Sequence, residues 1–182
     1  MPLSDPQPPI QTQPVPDPSI SHPDEFAWYV VPETAKKWLR LTAAHWDDPT
    51  LADEYIDRAL AAADGHLDVL VSAYRYFFYT QNDRLALKMA RQLLERVKSI
   101  EALPENWSLL KPILTTRRDD PNIRLYLNAY AASGLIYARL GEIAAAQEIA
   151  IHVSEIENRH EFGGNVVREI LERPDDDDEY EE

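Results

Sequence analysis

Residues 133–153 read SGLIYARLGEIAAAQEIAIHV, and the spacing of small and large side chains in this stretch decides the fold. Tyr137 follows Gly134 after one turn, and Gly141 interrupts the apolar run before Ala146, Ala150 and Val153. Those last three recur at helical intervals, so on a helix they share one face. Gly134 and Ala146 are small enough for two helices to approach closely, and Tyr137 fills the space left between them. Gly141 accommodates a turn that side chains would crowd. The stretch predicts a tight helical hairpin.

The same pattern recurs upstream. Ala73, Phe77, Ala86, Ala90 and Leu93 reproduce it without a gap, and Ala52, Ile56 and Ala59 supply an earlier copy. Ala52 and Ala86 lie 34 residues apart and Ala86 and Ala146 lie 60 apart, so 26 extra residues separate the second unit from the third. A period of about 34 residues is that of the tetratricopeptide (TPR) repeat, and the chain from 33 to 158 resembles that family. The first unit departs most, with Lys36, Arg40 and Ala43 where large, small and aromatic residues are usual. The resemblance implies an all-α fold, a TPR-like right-handed superhelix of about three helical hairpins closed by a C-terminal capping helix.

Capping and breaking residues set the expected boundaries. Pro32 opens a first helix running to Trp46. Asp48-Pro49 gives an N-cap followed by proline at the first helical position, and the second helix stops at Asp64-Gly65. A third covers Leu67 to Thr80, Asn82 caps a fourth reaching Lys98, and Asp120-Pro121 opens a long fifth ending near Gly141. A sixth runs to Asn158, and beyond Gly163-Gly164-Asn165 a short amphipathic helix carries Val166, Val167, Ile170 and Leu171. Three regions result: a Pro-rich arm over 1–25, a helical domain over 26–173 and an acidic tail over 174–182. The arm holds eight of the fourteen prolines and reads as extended or disordered chain, either a solubilising leader or a polyproline ligand. The insertion at 99–120 carries Pro104, Trp107, Leu109, Leu110, Pro112, Ile113 and Leu114. It is too apolar for a free loop and packs either on its own body or on a partner.

In TPR proteins the first helix of each repeat lines a concave groove, so the resemblance implies a set of partner-binding residues. From the first unit these are Lys37 and Leu41, with Ala44 and His45; from the second, Val71, Arg75, Phe78 and Tyr79. The third contributes Asn128, Leu135 and Arg139, beside Ala131 and Ala138. The surface is apolar and aromatic with three cationic groups, suited to an extended or helical segment carrying hydrophobic anchors and a few acidic residues. Leu41 stands where a carboxylate-clamping TPR needs asparagine, and Val71 and Leu135 are apolar, which argues against a chaperone C-terminus as ligand. In the run Tyr74-Arg75-Tyr76-Phe77-Phe78-Tyr79, Tyr74 and Phe77 share the core face, whereas Phe78 and Tyr79 point elsewhere, toward the groove.

Composition narrows the function. The chain has no cysteine, which removes disulfides, zinc–thiolate sites, iron–sulfur ligation and thiol catalysis, and fits a reducing compartment. Its amino terminus has neither a basic nor an apolar signal region, and no run approaches the ~20 apolar residues of a membrane span, so a cytoplasmic location without membrane contact is expected. Net charge is −14, and seven acidic residues fall among the last eight. Such a field repels nucleic acid and offers a basic partner a target in the tail. The histidines, His22, His45, His66, His152 and His160, form no HExxH motif. His152 and His160, with Glu155 and Glu157, read as a solvated helix face. Nucleotide-binding and nucleophile motifs are absent, so catalytic, cofactor and metal sites are all expected to be none. A non-catalytic adaptor or assembly chaperone for a client polypeptide is the expected function. Two alternatives stand beside it. One is a chaperone like the class II chaperones of type III secretion, similar in size, charge and repeat count but without the proline-rich leader or acidic tail. The other is a self-associating structural protein or accessory subunit of an enzyme complex, in which this chain forms a homo-oligomer.

Overall fold

The structure, a computed structural model, describes residues 31–63 and 65–156. The Pro-rich arm, the amphipathic segment at 166–171, the acidic tail and the last residues of the sixth expected helix lie outside the described residues. Every element described is a helix: α1 Glu33–Ala44, α2 Pro49–Ala63, α3 Leu67–Tyr79, α4 Asp83–Glu101, α5 Trp107–Thr116, α6 Pro121–Arg139 and α7 Ile143–Ile156. The fold is all-α.

Side-chain oxygens satisfy amides at the helix starts, where the backbone has no partner of its own. Asp48 Oδ1 accepts from Leu51 N (3.2 Å), Asn82 Oδ1 from Leu85 N (3.4 Å) and Asp120 Oδ1 from Asn122 N (3.0 Å). α1 is shorter than expected at both ends: Pro32 is its N-cap and His45 its C-cap. α4 instead outlasts the expected stop at Lys98, because Ser99, Ile100 and Glu101 include no breaker. It closes at Ala102, whose φ of 50° is left-handed, with Leu103 N bonding back to Lys98 O at 3.0 Å. The insertion contains a helix of its own, α5, capped by Asn106 through Ser108 N at 2.9 Å.

Packing is closest within three pairs, α1 with α2, α3 with α4, and α6 with α7, and between α4 and α6. α2 and α3 touch more lightly, as do α1 with α3 and α3 with α6, and α5 leans on α7. The small residues that carry the repeat sit where helices must approach: Ala52, Ala86 and Ala146 are each 0% exposed. Ile56, Ala59, Ala73, Phe77, Ala90, Leu93, Ala150 and Val153 are also buried. One large apolar core runs from α1 to α7, where it takes in Ile156, and a smaller one joins Ala131 to Ile149 and Val153.

Two of the hairpin turns are the same object. At the α3–α4 turn, Thr80 N bonds Tyr76 O (3.0 Å), Gln81 N bonds Phe78 O (3.3 Å) and Asn82 N bonds Phe77 O (2.9 Å). At the α6–α7 turn, Leu140 N bonds Ile136 O (3.0 Å), Gly141 N bonds Ala138 O (3.1 Å) and Glu142 N bonds Tyr137 O (2.9 Å). Each atom pair is displaced by the same 60 residues that separate Ala86 from Ala146. The bond spanning six residues, around a left-handed residue, closes both helices in the manner of a Schellman motif. Gly141 is needed for a reason other than crowding: a Cβ there would meet nothing within 4 Å, but its φ is +79°. Conformation, not space, selects glycine.

Candidate functional site

The aromatic run on α3 divides as its helical spacing dictates. Tyr74, Tyr76 and Phe77 are buried. Tyr76 donates its hydroxyl to Asp53 Oδ1 at 2.8 Å, and burial together with that carboxylate pushes the phenol well above its ordinary range. Phe78 is half-buried against the core, whereas Tyr79 is 68% exposed. Their rings meet edge to face, 5.5 Å apart. Above Phe78, at 4.3 Å, lies the guanidinium of Arg139 from the end of α6. Arg139 Nη1 also donates to Phe78 O (3.3 Å) and to Asp83 Oδ1 (3.2 Å). Three of the predicted groove residues, from two different units, therefore converge at one place.

The other predicted residues are placed as follows. Lys37 is exposed on α1 with its ammonium 5.0 Å from the Trp38 ring, and Leu41 is half-buried, its carbonyl bonded by His45 Nδ1 at 2.9 Å. Arg75 is exposed on α3, and Val71 packs half-buried against the core. Asn128 and Leu135 are half-buried on α6. Ala131 is a correction: at 3% exposure it packs on Ile149 and Val153 of α7 and is core rather than groove. Arg139 is engaged by Asp83, so the surface offers less free positive charge than the sequence suggests.

The insertion packs on its own body. Leu103, Leu110 and Leu114 are buried, while Leu109 is 62% exposed. Trp107 stacks on His152 at 3.8 Å, and the Tyr130 hydroxyl hydrogen-bonds His152 Nδ1 at 2.7 Å. Tyr126 continues the stack 5.9 Å from Tyr130. Trp107 Nε1 donates to Glu155 Oε2 (3.0 Å), and Lys111 Nζ lies 3.2 Å from the same oxygen. The indole first, and the ammonium second, hold the Glu155 carboxyl below the usual range. The expected solvated face is therefore wrong for His152, which is half-buried inside an aromatic stack. The apolar content of residues 99–120 was the one sequence signal for this cluster. Its partners on α6 and α7 are too distant along the chain to be read from spacing.

Beside the stack, α4, α6 and α7 enclose a cleft of about 260 Å³ with Tyr126, Tyr130, Ser133 and Tyr137 along its floor. Burial, and then the Glu148 charge, push the Tyr130 phenol up to about 12. Among the described residues no three His, Asp or Glu side chains converge as a metal site requires. No described helix is long and apolar enough to cross a membrane.

The chain is 28% identical over 145 residues to an uncharacterized 19.8 kDa protein in the nifW 5′ region of Azotobacter chroococcum mcd 1, an alignment covering 78% of this chain and 80% of that protein. No family model and no solved structure matches the chain.

Proposed function

We propose that this chain is a non-catalytic adaptor or assembly chaperone, TPR-like in construction, that holds a client polypeptide where the end of α3 meets the end of α6. The observation that carries this reading is Tyr79, a large ring 68% exposed yet steadied edge-on by Phe78 beneath the Arg139 guanidinium. An exposed aromatic held by packed neighbours gives up little freedom on binding, which is what an interface hot spot requires. The identical turns at 60-residue offset support a repeat scaffold, since two hairpins closed by the same bonds present their first helices alike. A cytoplasmic location accords with a chain free of cysteine.

Affinity purification from the source organism, with bound proteins identified, tests this directly. A client that copurifies with the native chain and is lost from a folded Phe78→Ala, Tyr79→Ala double variant supports the proposal. A client retained equally by that variant places the binding surface elsewhere. A stable homo-oligomer with no client would favour the self-associating alternative.

A further inference from the structure

Four of the five cations on α4, Arg84, Lys88, Arg91 and Arg96, are exposed and form no hydrogen bond or ion pair among the described residues. The three acids of the same helix are already engaged: Asp83 with Arg139, Glu95 with Lys98 and Glu101 with Arg117. Glu148 of α7 shares a cleft with Arg91 but forms no ion pair with it. Arg84, Lys88 and Arg91 recur at i, i+4 and i+7, so they share one face, and like charges at that spacing weaken a helix. An anion laid along the face removes that cost. Toward the turn at Gly65 the face is recessed into a trough of about 570 Å³, lined by Arg91, Gln92, Arg96 and the buried Leu70.

The chain carries an anion of matching length. Residues 175–182 hold seven acids, and eight extended residues measure about 26 Å. α4, with nineteen residues, measures about 28 Å. The last described helix ends near α4. Glu155 of α7 accepts from Trp107 Nε1 at 3.0 Å, and Glu105, two residues before that indole, accepts from Lys98 of α4 at 2.8 Å. Past Ile156, the eighteen residues 157–174 can reach about 60 Å at full extension, more than twice the length of α4. Tethering of this kind holds a segment at an effective concentration of roughly millimolar, an advantage over any free acidic peptide. A nucleic acid, another polyanion suited to a basic stripe, meets the repulsion of a chain with net charge −14.

We propose that the acidic run 175–182 docks on the exposed face of α4, its carboxylates set against Arg84, Lys88, Arg91 and Arg96. Exposed pairs are individually weak and act here together, so docking is strongest at low ionic strength and is lost as salt rises. A basic partner seeking the tail must therefore compete with α4 for it. The face contains none of Phe78, Tyr79 and Arg139, so this inference stands apart from the adaptor reading.

The chain has no cysteine, so Tyr180→Cys gives a single attachment point for a nitroxide on the full protein. Amide NMR then shows which helices the label approaches. Amides around Lys88, Arg91 and Arg96 should broaden at about 0.01 M salt and recover at about 1 M, as the screening length falls from ~30 Å to ~3 Å. Those around Lys37 and Arg40, exposed cations on α1, should stay sharp in both. Replacing the four tail aspartates by asparagine and the three glutamates by glutamine should abolish the broadening of α4. So should Lys88→Gln combined with Arg91→Gln and Arg96→Gln. Thermal unfolding checks that triple variant, and the tail variant tests the proposal even if the triple does not fold. Broadening of α4 that survives tail neutralisation or 1 M salt would overturn the proposal, as would equal broadening on α1. Mixing isotope-labelled chain with nitroxide-bearing unlabelled chain should leave α4 sharp; equal broadening there would assign the face to a second copy instead. An α4 that stays sharp in the native chain but shifts on adding single-stranded DNA would give the face to nucleic acid. None of these outcomes alters client capture through Tyr79, so the two readings fail separately.

Discussion

Gln81 and Gly141 occupy equivalent positions in equivalent turns, yet only one is glycine. Gly141 has φ +79° and Gln81 has φ 60°, both in the left-handed region that residues with a Cβ adopt at a cost. Gly141→Ala should therefore lower stability by about 1 kcal/mol, through conformation alone since the new methyl meets no atom. Gln81→Gly relieves the same strain while loosening the unfolded chain, and the balance should be a gain of about 0.5 kcal/mol. Urea unfolding of both variants checks the pair. A Gly141→Ala protein as stable as its parent would mean the turn has another available geometry. The sequence announced Gly141 through its residue type. Gln81 carried no such mark, and only the 60-residue offset between identical hydrogen-bond sets exposes its equivalence.

At the scale of elements, the hairpin interfaces depend on alanine where the helices meet. Ala146 is 0% exposed between α6 and α7, and Ala146→Leu should cost about 1–3 kcal/mol by forcing the pair apart. A neutral result in thermal unfolding would show that the pair does not approach as closely as the structure has it. α5 is held differently, by a polar latch. Because the Trp107 indole and Lys111 hold the folded Glu155 carboxyl below its unfolded value, the latch stabilises the protein above the ordinary glutamate range. That contribution is lost as pH falls through the lower, folded value. Glu155→Gln should flatten this acid dependence, and Trp107→Ala should speed amide exchange in α5 while leaving α3 and α4 protected. Uniform exchange across all helices would mean that α5 is no separate unit. The sequence indicated that the 99–120 segment packs, but not that it carries a helix of its own. Pro112 is tolerated inside α5 at an exposed position, where the amide bond it forfeits would have gone to the carbonyl of exposed Ser108.

Across the whole molecule, local rules carried the fold further than they carried the site. Caps at Asp48, Asn82 and Asp120 and the alanine periodicity located six helices, because those signals act within one or two turns. The convergence of Phe78 with Arg139, 61 residues apart, could be approached only through the repeat resemblance. The pairing of Arg139 with Asp83, which removes one of the expected free cations, was beyond it. The same holds for the Trp107–His152 stack and the tyrosine cleft, each assembled from helices distant in sequence. The central claim, that the meeting point of α3 and α6 holds a polypeptide, is tested most directly by photo-crosslinking in the source organism. A photoreactive residue at Tyr79 should yield a discrete adduct with one client protein, whereas the same residue at exposed Thr116 should yield none. Equal adducts from both positions, or none from position 79 while a client still copurifies, would contradict it.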